Sequence, residues 1–119
     1  MQADELLAIV TQELEERKAE NIITIDVIGK TSFTDYMVIA SGTSDRHIKA
    51  LCNYVTQALK EQGIAPRGIE GAQGSEWMLM DLGDVILHVM TAQTREFYQL
   101  EKLWSVENQQ DDEVLSYDE

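Results

Sequence analysis

The stretch GSEWMLMDLGDVILHVM, Gly74–Met90, decides the fold because it predicts a β-hairpin that is apolar on both faces. We expect strands at Glu76–Asp81 and Asp84–Met90, joined by a two-residue turn of Leu82 and Gly83, with the glycine supplying the positive φ that such turns need. A sheet in a small soluble domain normally turns one apolar face to its core and one polar face to water. The second apolar face of this hairpin therefore needs a cover, which is either a helix of the same chain or a partner.

The turn also predicts which side chains share a face of the hairpin. One face carries three cross-strand pairs: Trp77 with His88, Leu79 with Ile86, and Asp81 with Asp84. We call this face, together with Met90, the outer face. The opposite face carries Met78, Met80, Val85, Leu87 and Val89. An aromatic residue and a methionine in an apolar patch with an acidic rim are typical of the centre of a protein interface.

Hydrophobic spacing elsewhere predicts three helices and two further regions of strand. The expected elements are a helix at Asp4–Glu20, strands at Asn21–Gly29 and Asp35–Ser41, a helix from the cap Ser44 to the stop Gly63, a short strand at Arg67–Glu70, and a C-terminal helix with Phe97, Leu100 and Trp104 on one side. The order is α-β-β-α-β-β-β-α, which indicates a single α/β domain with a mixed five-stranded sheet. The two long helices look suited to the same side of that sheet.

Composition limits the class of partner. The 119 residues are 44% hydrophobic, which fits one globular domain over residues 1–106, and the net charge of -13 repels phosphate backbones. Little direct contact with nucleic acid is therefore expected, and basic protein surfaces are the natural partners. Residues 107–119 hold six acids and no base, which predicts a disordered, solubilising tail, with a specific binding tail as the alternative.

The sequence also predicts the compartment. Cys52 is the single cysteine, so an internal disulfide framework is excluded and a reducing environment is expected. The acidic start does not resemble a signal peptide, and no run approaches the roughly 20 apolar residues that cross a bilayer. We expect a soluble cytoplasmic protein without membrane contact, or one inside an organelle after processing.

Candidate catalytic groups are sparse, and each has a structural alternative. Cys52 lies in the apolar stripe of its helix, five residues after His47, so a buried core thiol is favoured over a nucleophile. Two histidines without matching carboxylates do not make a metal site. The turn ASGTSDR, Ala40–Arg46, is either a helix cap or a weak phosphate-binding loop, because it lacks the glycine spacings of the known nucleotide motifs. No strand offers the Asp-x-Asp pair that would hold Mg²⁺.

Three blocks in order resemble one known family: DYMVIASGTSDRHIKAL, then GIEGAQGSEWMLMDLGDVILHVM, then REFYQLEKLW. They look like the ribosomal silencing factor family, also called the Iojap-related family, from the first helix to Trp104, with the acidic tail outside the likeness. The resemblance implies a fold similar to nucleotidyltransferases but without their catalytic carboxylates. It therefore implies a protein that is not an enzyme and carries no cofactor.

The resemblance also implies a partner and a mechanism. It implies binding to the large ribosomal subunit through its basic protein fourteen, so that the small subunit cannot join and translation is repressed when nutrients are short, as in stationary phase. Carried onto this chain, the contact residues are Trp77, Leu79, Asp81, Asp84, His88 and Met90, with Tyr98 as a further candidate. Two alternatives stay open, an enzyme that binds or transfers nucleotides through residues 41–45 and a factor for assembly of the large subunit. The same patch could also pair with itself, which predicts a homodimer of the free protein.

Overall fold

The computed structural model describes residues 2–71 and 76–98 and has the predicted order of elements. The elements are α1 (Ala3–Glu16), β1 (Glu20–Asp26), β2 (Tyr36–Gly42), α2 (Asp45–Lys60), β3 (Gly68–Glu70), β4 (Trp77–Asp81), β5 (Val85–Thr91) and α3 (Ala92–Tyr98). The predicted α/β class with a mixed five-stranded sheet is confirmed. Leu100, Trp104 and the acidic tail lie outside the described residues.

The sheet has the strand order β1-β2-β5-β4-β3. The two central strands, β2 and β5, run parallel, and every other neighbouring pair is antiparallel. The parallel pair requires a long crossover, and this crossover contains α2, β3 and β4. Both central strands are almost wholly buried, as expected for strands with apolar side chains on both faces.

The helices α1 and α2 pack against each other on one side of the sheet, as their amphipathic patterns predict. Their buried stripes meet the inward side chains of β2, β4 and β5 in one continuous core. Residues from all five elements contribute to it: Leu6, Val10, Leu14, Val38, Ala40, Ile48, Leu51, Cys52, Val55, Leu59, Met80, Val85, Leu87 and Val89. Cys52 is buried in this core, where loss of hydration raises the pKa of its thiol to about 12. The thiol is therefore protonated at neutral pH and is not an active nucleophile.

Local signals set the ends of α2. The Oγ of Ser44 accepts a hydrogen bond from the backbone N–H of His47, at 3.1 Å, which is the predicted N-cap. Gly63 follows the helix with φ +77, and the N–H of Ile64 returns to the carbonyl of Leu59 at 2.9 Å. Such a glycine-terminated end satisfies carbonyls of the last turn, so both predicted limits of α2 are confirmed.

The predicted hairpin register is wrong by two residues. Trp77 pairs with Met90, Leu79 with His88, and Asp81 with Ile86. The turn consists of Gly83 and Asp84, with Gly83 at φ +91, in place of Leu82 and Gly83. A glycine at the first of the two turn positions suits a type II′ turn, and the twist of that turn matches the twist of the flanking strands. Because side chains alternate with a period of two, a two-residue shift leaves each of them on its predicted face.

The first helix is shorter than predicted and ends at Glu16. Lys18 adopts a positive φ of 69°, so the chain leaves the helical conformation before β1 begins at Glu20. Asn21, at φ 50°, lies in the irregular start of β1, where the pairing with β2 shifts register. The predicted helix Asp4–Glu20 thus extends one turn too far at its C-terminal end.

Replacing Ser44 with alanine tests the capping of α2. We expect the free energy of unfolding to fall by about 1 kcal/mol, because the N–H of His47 loses its acceptor. Ser44→Asp, which keeps an acceptor and adds a charge that the helix N-terminus favours, should lose much less. Urea denaturation of the three proteins gives the comparison, and equal stability of the alanine and parent proteins would contradict the capping role.

Candidate functional site

The outer face of the sheet carries the residues that the sequence nominated as a contact surface. Trp77, Leu79 and Asp81 project from β4, while Ile86, His88 and Met90 project from β5, as the pairing of the two strands requires. Further toward β1, this face continues into a second apolar cluster of Ile25, Val27, Met37 and Ile39, with Ile23 packed against it. The outer face is therefore apolar from β1 to β4.

Exposure divides this face into a covered part and an accessible part. Met90 is only 3% exposed and Ile86 only 8%, so these two side chains of β5 are covered by the chain itself. Trp77 and Leu79 on β4 are half-buried, as is His88. The interpretation that the chain covers its own sheet thus holds for Met90, and the accessible part lies along β4.

The third helix explains why the Met90 end is closed. It begins immediately after β5 and contacts both β5 and β2. Arg95 of α3 is 5% exposed and donates from Nη1 to the Oγ of Ser41 on β2, at 2.9 Å. The sequence analysis did not identify Arg95 and Ser41 as an interacting pair. The available signal was a lone hydroxyl at the end of the apolar run of β2 and an arginine in the last helix.

Hydroxyl groups fix the start of α3 against the start of β4. The Oγ of Thr91 accepts from the N–H of Thr94 at 3.2 Å, and the Oγ of Thr94 donates to the carboxylate of Glu76 at 3.0 Å. The N–H of Thr91 also donates to the carbonyl of Glu76. These bonds tie the start of α3 to the start of β4. The side chain of Tyr98 lies outside the described part of α3, so its nomination stays a prediction.

The two hairpin aspartates have different roles. The carboxylate of Asp81 accepts from the N–H of Gly83 at 2.9 Å and so shapes the turn. Asp84 is exposed at the tip, while its backbone carbonyl accepts from the N–H groups of Asp35 and Tyr36. Among residues 2–71 and 76–98 the carboxylate of Asp84 has no bonding partner, whereas one oxygen of the Asp81 carboxylate is bonded inside the turn.

His88 lies between Leu79 of β4 and Ile39 of β2. Loss of hydration lowers the pKa of His88 below its ordinary value of 6.5, so the imidazole is neutral at pH 7. Its Nε2 is buried and has no hydrogen-bond partner within residues 2–71 and 76–98. A neutral His88 adds no positive charge to the outer face.

The turn before α2 is organised as a helix cap. The N–H of Thr43 donates to Nδ1 of His47 at 3.0 Å, which leaves Nε2 of His47 to donate to the carbonyl of Arg17 at 2.9 Å. The N–H of His47 is bonded to Ser44. Two of the donors that would face a phosphate at this helix N-terminus are thus bonded within the chain, which favours the capping interpretation of Ala40–Arg46.

Comparison with known proteins identifies the family. A profile described as ribosomal silencing factor during starvation matches residues 1–119. The chain belongs to the ribosomal silencing factor family. A ribosomal silencing factor from Chromobacterium violaceum is 40% identical over 104 residues, covering 87% of this chain and 85% of the relative. A mouse relative named mitochondrial assembly of ribosomal large subunit protein 1 is 38% identical over 106 residues, covering 87% of this chain and 45% of its own length.

Solved structures agree with the silencing factor assignment. A crystal structure of a Chromobacterium violaceum protein matches with a TM-score of 0.84 and 40% identity, over 88% of each chain. A Bacillus halodurans crystal structure matches with a TM-score of 0.77 and 34% identity, over 85% of this chain and 94% of the other. The predicted family is therefore confirmed, and translation regulation with ribosome binding follows as its general role. None of the helices within the described ranges is both long and apolar enough to span a membrane.

His88 gives this silencing factor a testable pH dependence. Because the folded-state pKa of His88 is depressed, the unfolded chain takes up the proton first as the pH falls through 6.5. The free energy of unfolding should therefore decrease with falling pH below that value. We expect His88→Phe to show a smaller decrease between about pH 7.5 and about pH 5.5. Urea unfolding at both pH values measures this, and identical losses in the two proteins would contradict the burial of a neutral imidazole.

Proposed function

We propose that this protein binds the large ribosomal subunit through its basic protein fourteen and thereby prevents the small subunit from joining. The observation that carries the proposal is the accessible strip of β4, where Trp77 and Leu79 remain half-buried and the exposed Asp84 lies at the hairpin-turn end of the strip. Family membership supports the ribosome as the partner, and the strip of β4 has the chemistry that a protein contact needs. The action is steric and takes place in the cytoplasm, where it represses translation when nutrients are limiting.

The proposed docking surface is narrower than the sequence suggested. It consists of Trp77, Leu79, Asp81, Asp84 and His88, with Tyr98 of α3 as a further candidate, while Met90, the cross-strand partner of Trp77 on the same face, is buried. A half-buried tryptophan gains contact area on binding at little entropic cost, because its flank is already fixed. Trp77 is therefore the proposed centre of the contact.

Charge supports a basic partner. The chain has a net charge of -13, and the neutral His88 adds no positive charge to the strip. A negative surface speeds encounter with a positive one and opposes approach to a phosphate backbone. Protein on the ribosomal surface therefore fits this strip better than ribosomal RNA does.

Replacing Trp77 with alanine should weaken binding to purified large subunits by about 2 kcal/mol, a roughly 30-fold increase in Kd. The matched control is Tyr54→Ala. Tyr54 is an exposed aromatic residue on α2, stacked under the guanidinium of Arg17 at 3.7 Å, on the helical side of the sheet. Binding can be measured by co-sedimentation, and subunit joining by light scattering.

Two results would contradict this proposal. If the parent protein does not co-sediment with large subunits, or leaves joining unchanged at saturation, the proposed function fails. If Trp77→Ala binds as tightly as Tyr54→Ala while both remain folded, β4 is not the centre of the contact.

The proposed action makes and breaks no covalent bond. Support comes from the turn before α2, whose N–H groups at Thr43 and His47 are bonded within the chain. Titration calorimetry with ATP and Mg²⁺ should accordingly show no binding. Binding that disappears on Ser44→Ala or Asp45→Asn substitution would instead revive the nucleotide hypothesis.

A role in assembly of the large subunit is the second candidate, and the name of the mouse relative favours it. The two roles differ in which particle carries the protein. Sucrose gradients of a cell extract separate them, since a silencing factor follows mature large subunits and an assembly factor accumulates on immature particles. The proposed homodimer of the free protein would use the same β4 strip, and sedimentation as a monomer at all concentrations would exclude it.

A further inference from the structure

The loop between β1 and β2, residues 27–35, carries exposed apolar side chains that lie outside the docking surface proposed on β4. Phe33 is 58% exposed and Ile28 is 53% exposed. A single exposed apolar residue is ordinary. Two large exposed apolar residues on one nine-residue loop, next to the docking surface already proposed on β4, require an explanation.

The loop backbone is held by its own hydrogen bonds. The N–H groups of Lys30 and Thr31 donate to the carbonyl of Val27, at 2.9 and 3.2 Å, and Val27 in turn donates to the carbonyl of Asp35 at 2.9 Å. The carboxylate of Asp26 accepts from the N–H of Ile28 at 2.9 Å. These bonds fix the loop at both ends, so Phe33 and Ile28 are displayed on an ordered frame and lose little backbone entropy on binding.

The loop is continuous with the hairpin turn. The N–H of Asp35 donates to the carbonyl of Asp84 at 3.0 Å, and the N–H of Tyr36 donates to the same oxygen at 3.1 Å. Asp84 also belongs to the proposed docking surface on β4. A partner that reaches Asp84 is thus adjacent to the loop.

The surroundings of the loop are acidic. The hydroxyl of Tyr36 donates to the carboxylate of Asp4 at 3.1 Å, and this bond, with the nearby charges of Asp26 and Asp35, raises the pKa of Tyr36. Within the described ranges, no lysine, arginine or histidine nitrogen lies within 4 Å of the carboxylates of Asp4, Asp26, Asp35 or Asp84. Lys30 is the one base in the loop sequence, and the four carboxylates outnumber it. The end of the sheet therefore combines exposed apolar side chains with an excess of negative charge.

We infer that the 27–35 loop, with Phe33 and Ile28 as its apolar contacts and Asp26 and Asp35 beside them, is a second docking surface for a basic protein on the large subunit. Only a basic protein surface matches both properties. A second copy of this chain would bring like charges together, and RNA or an anionic membrane would bring phosphates against the carboxylates. This inference rests on the proposed function and extends its contact from β4 to the opposite side of the hairpin turn.

The binding experiment compares Phe33→Ser with Ile69→Ser on purified large subunits. Ile69 is also an exposed large apolar residue, but it lies on the edge strand β3 and pairs with Met80, whose side chain faces α1 and α2. We expect about a tenfold increase in Kd for Phe33→Ser and no change for Ile69→Ser. Asp35→Asn should slow association and reduce its salt dependence, whereas Glu61→Gln, at the C-terminus of α2, should not.

A cross-linking experiment identifies what faces the loop. A benzoylphenylalanine at position 33, irradiated in the complex with large subunits, should form an adduct with a basic ribosomal protein. An adduct with RNA or with a second copy of the chain, or no adduct at all, would overturn the inference, as would unchanged affinity of Phe33→Ser. If the parent protein binds the large subunit but substitutions in the 27–35 loop leave its affinity unchanged, this inference fails while the proposed function stands. If the parent protein does not bind the subunit, the proposed function fails and this inference fails with it.

Discussion

The parallel pairing of β2 with β5 is the constraint on which the rest of the molecule depends. It joins Tyr36–Gly42 to Val85–Thr91 at the centre of the sheet, and these strands carry apolar side chains on both faces. Each face must then be covered. On one side α1 and α2 share that task, and their combined stripes bury β2 and β5 completely. On the other side, the described part of the chain supplies α3, which has seven residues.

The unequal covers create the accessible strip. The bonds from Arg95 to Ser41 and from Thr94 to Glu76 place α3 over the ends of β2 and β5, so Met90 is sealed while Trp77 and Leu79 remain half-buried. At the opposite end, the hairpin turn and the 27–35 loop are joined through Asp84 and carry more acids than bases. A protein partner with a basic surface and an apolar recess would meet both regions at once. Within residues 2–71 and 76–98 the cover of the second face is incomplete, and this is the surface that we propose as the contact.

The sequence predicted the architecture well because hydrophobic periodicity reports burial directly. The alternation in β4 and β5 assigned the strand side chains of the hairpin to their correct faces. The turn was misplaced by one residue and the strand pairing therefore by two, an error that the period of two tolerates. The burial of Met90 could not be predicted, because it depends on where the chain turns after Thr91. The exposed Phe33 was also missed, since a single aromatic residue in a turn-rich segment has no period that distinguishes a surface position from a core one.

Hydroxyl-radical footprinting of the protein, free and bound to large ribosomal subunits, tests most directly whether the outer face is the contact. The account predicts that oxidation of Trp77 and Leu79 falls sharply in the complex while oxidation of Tyr54, on the helical side, is unchanged. Protection of Tyr54 with undiminished oxidation of Trp77 would contradict it.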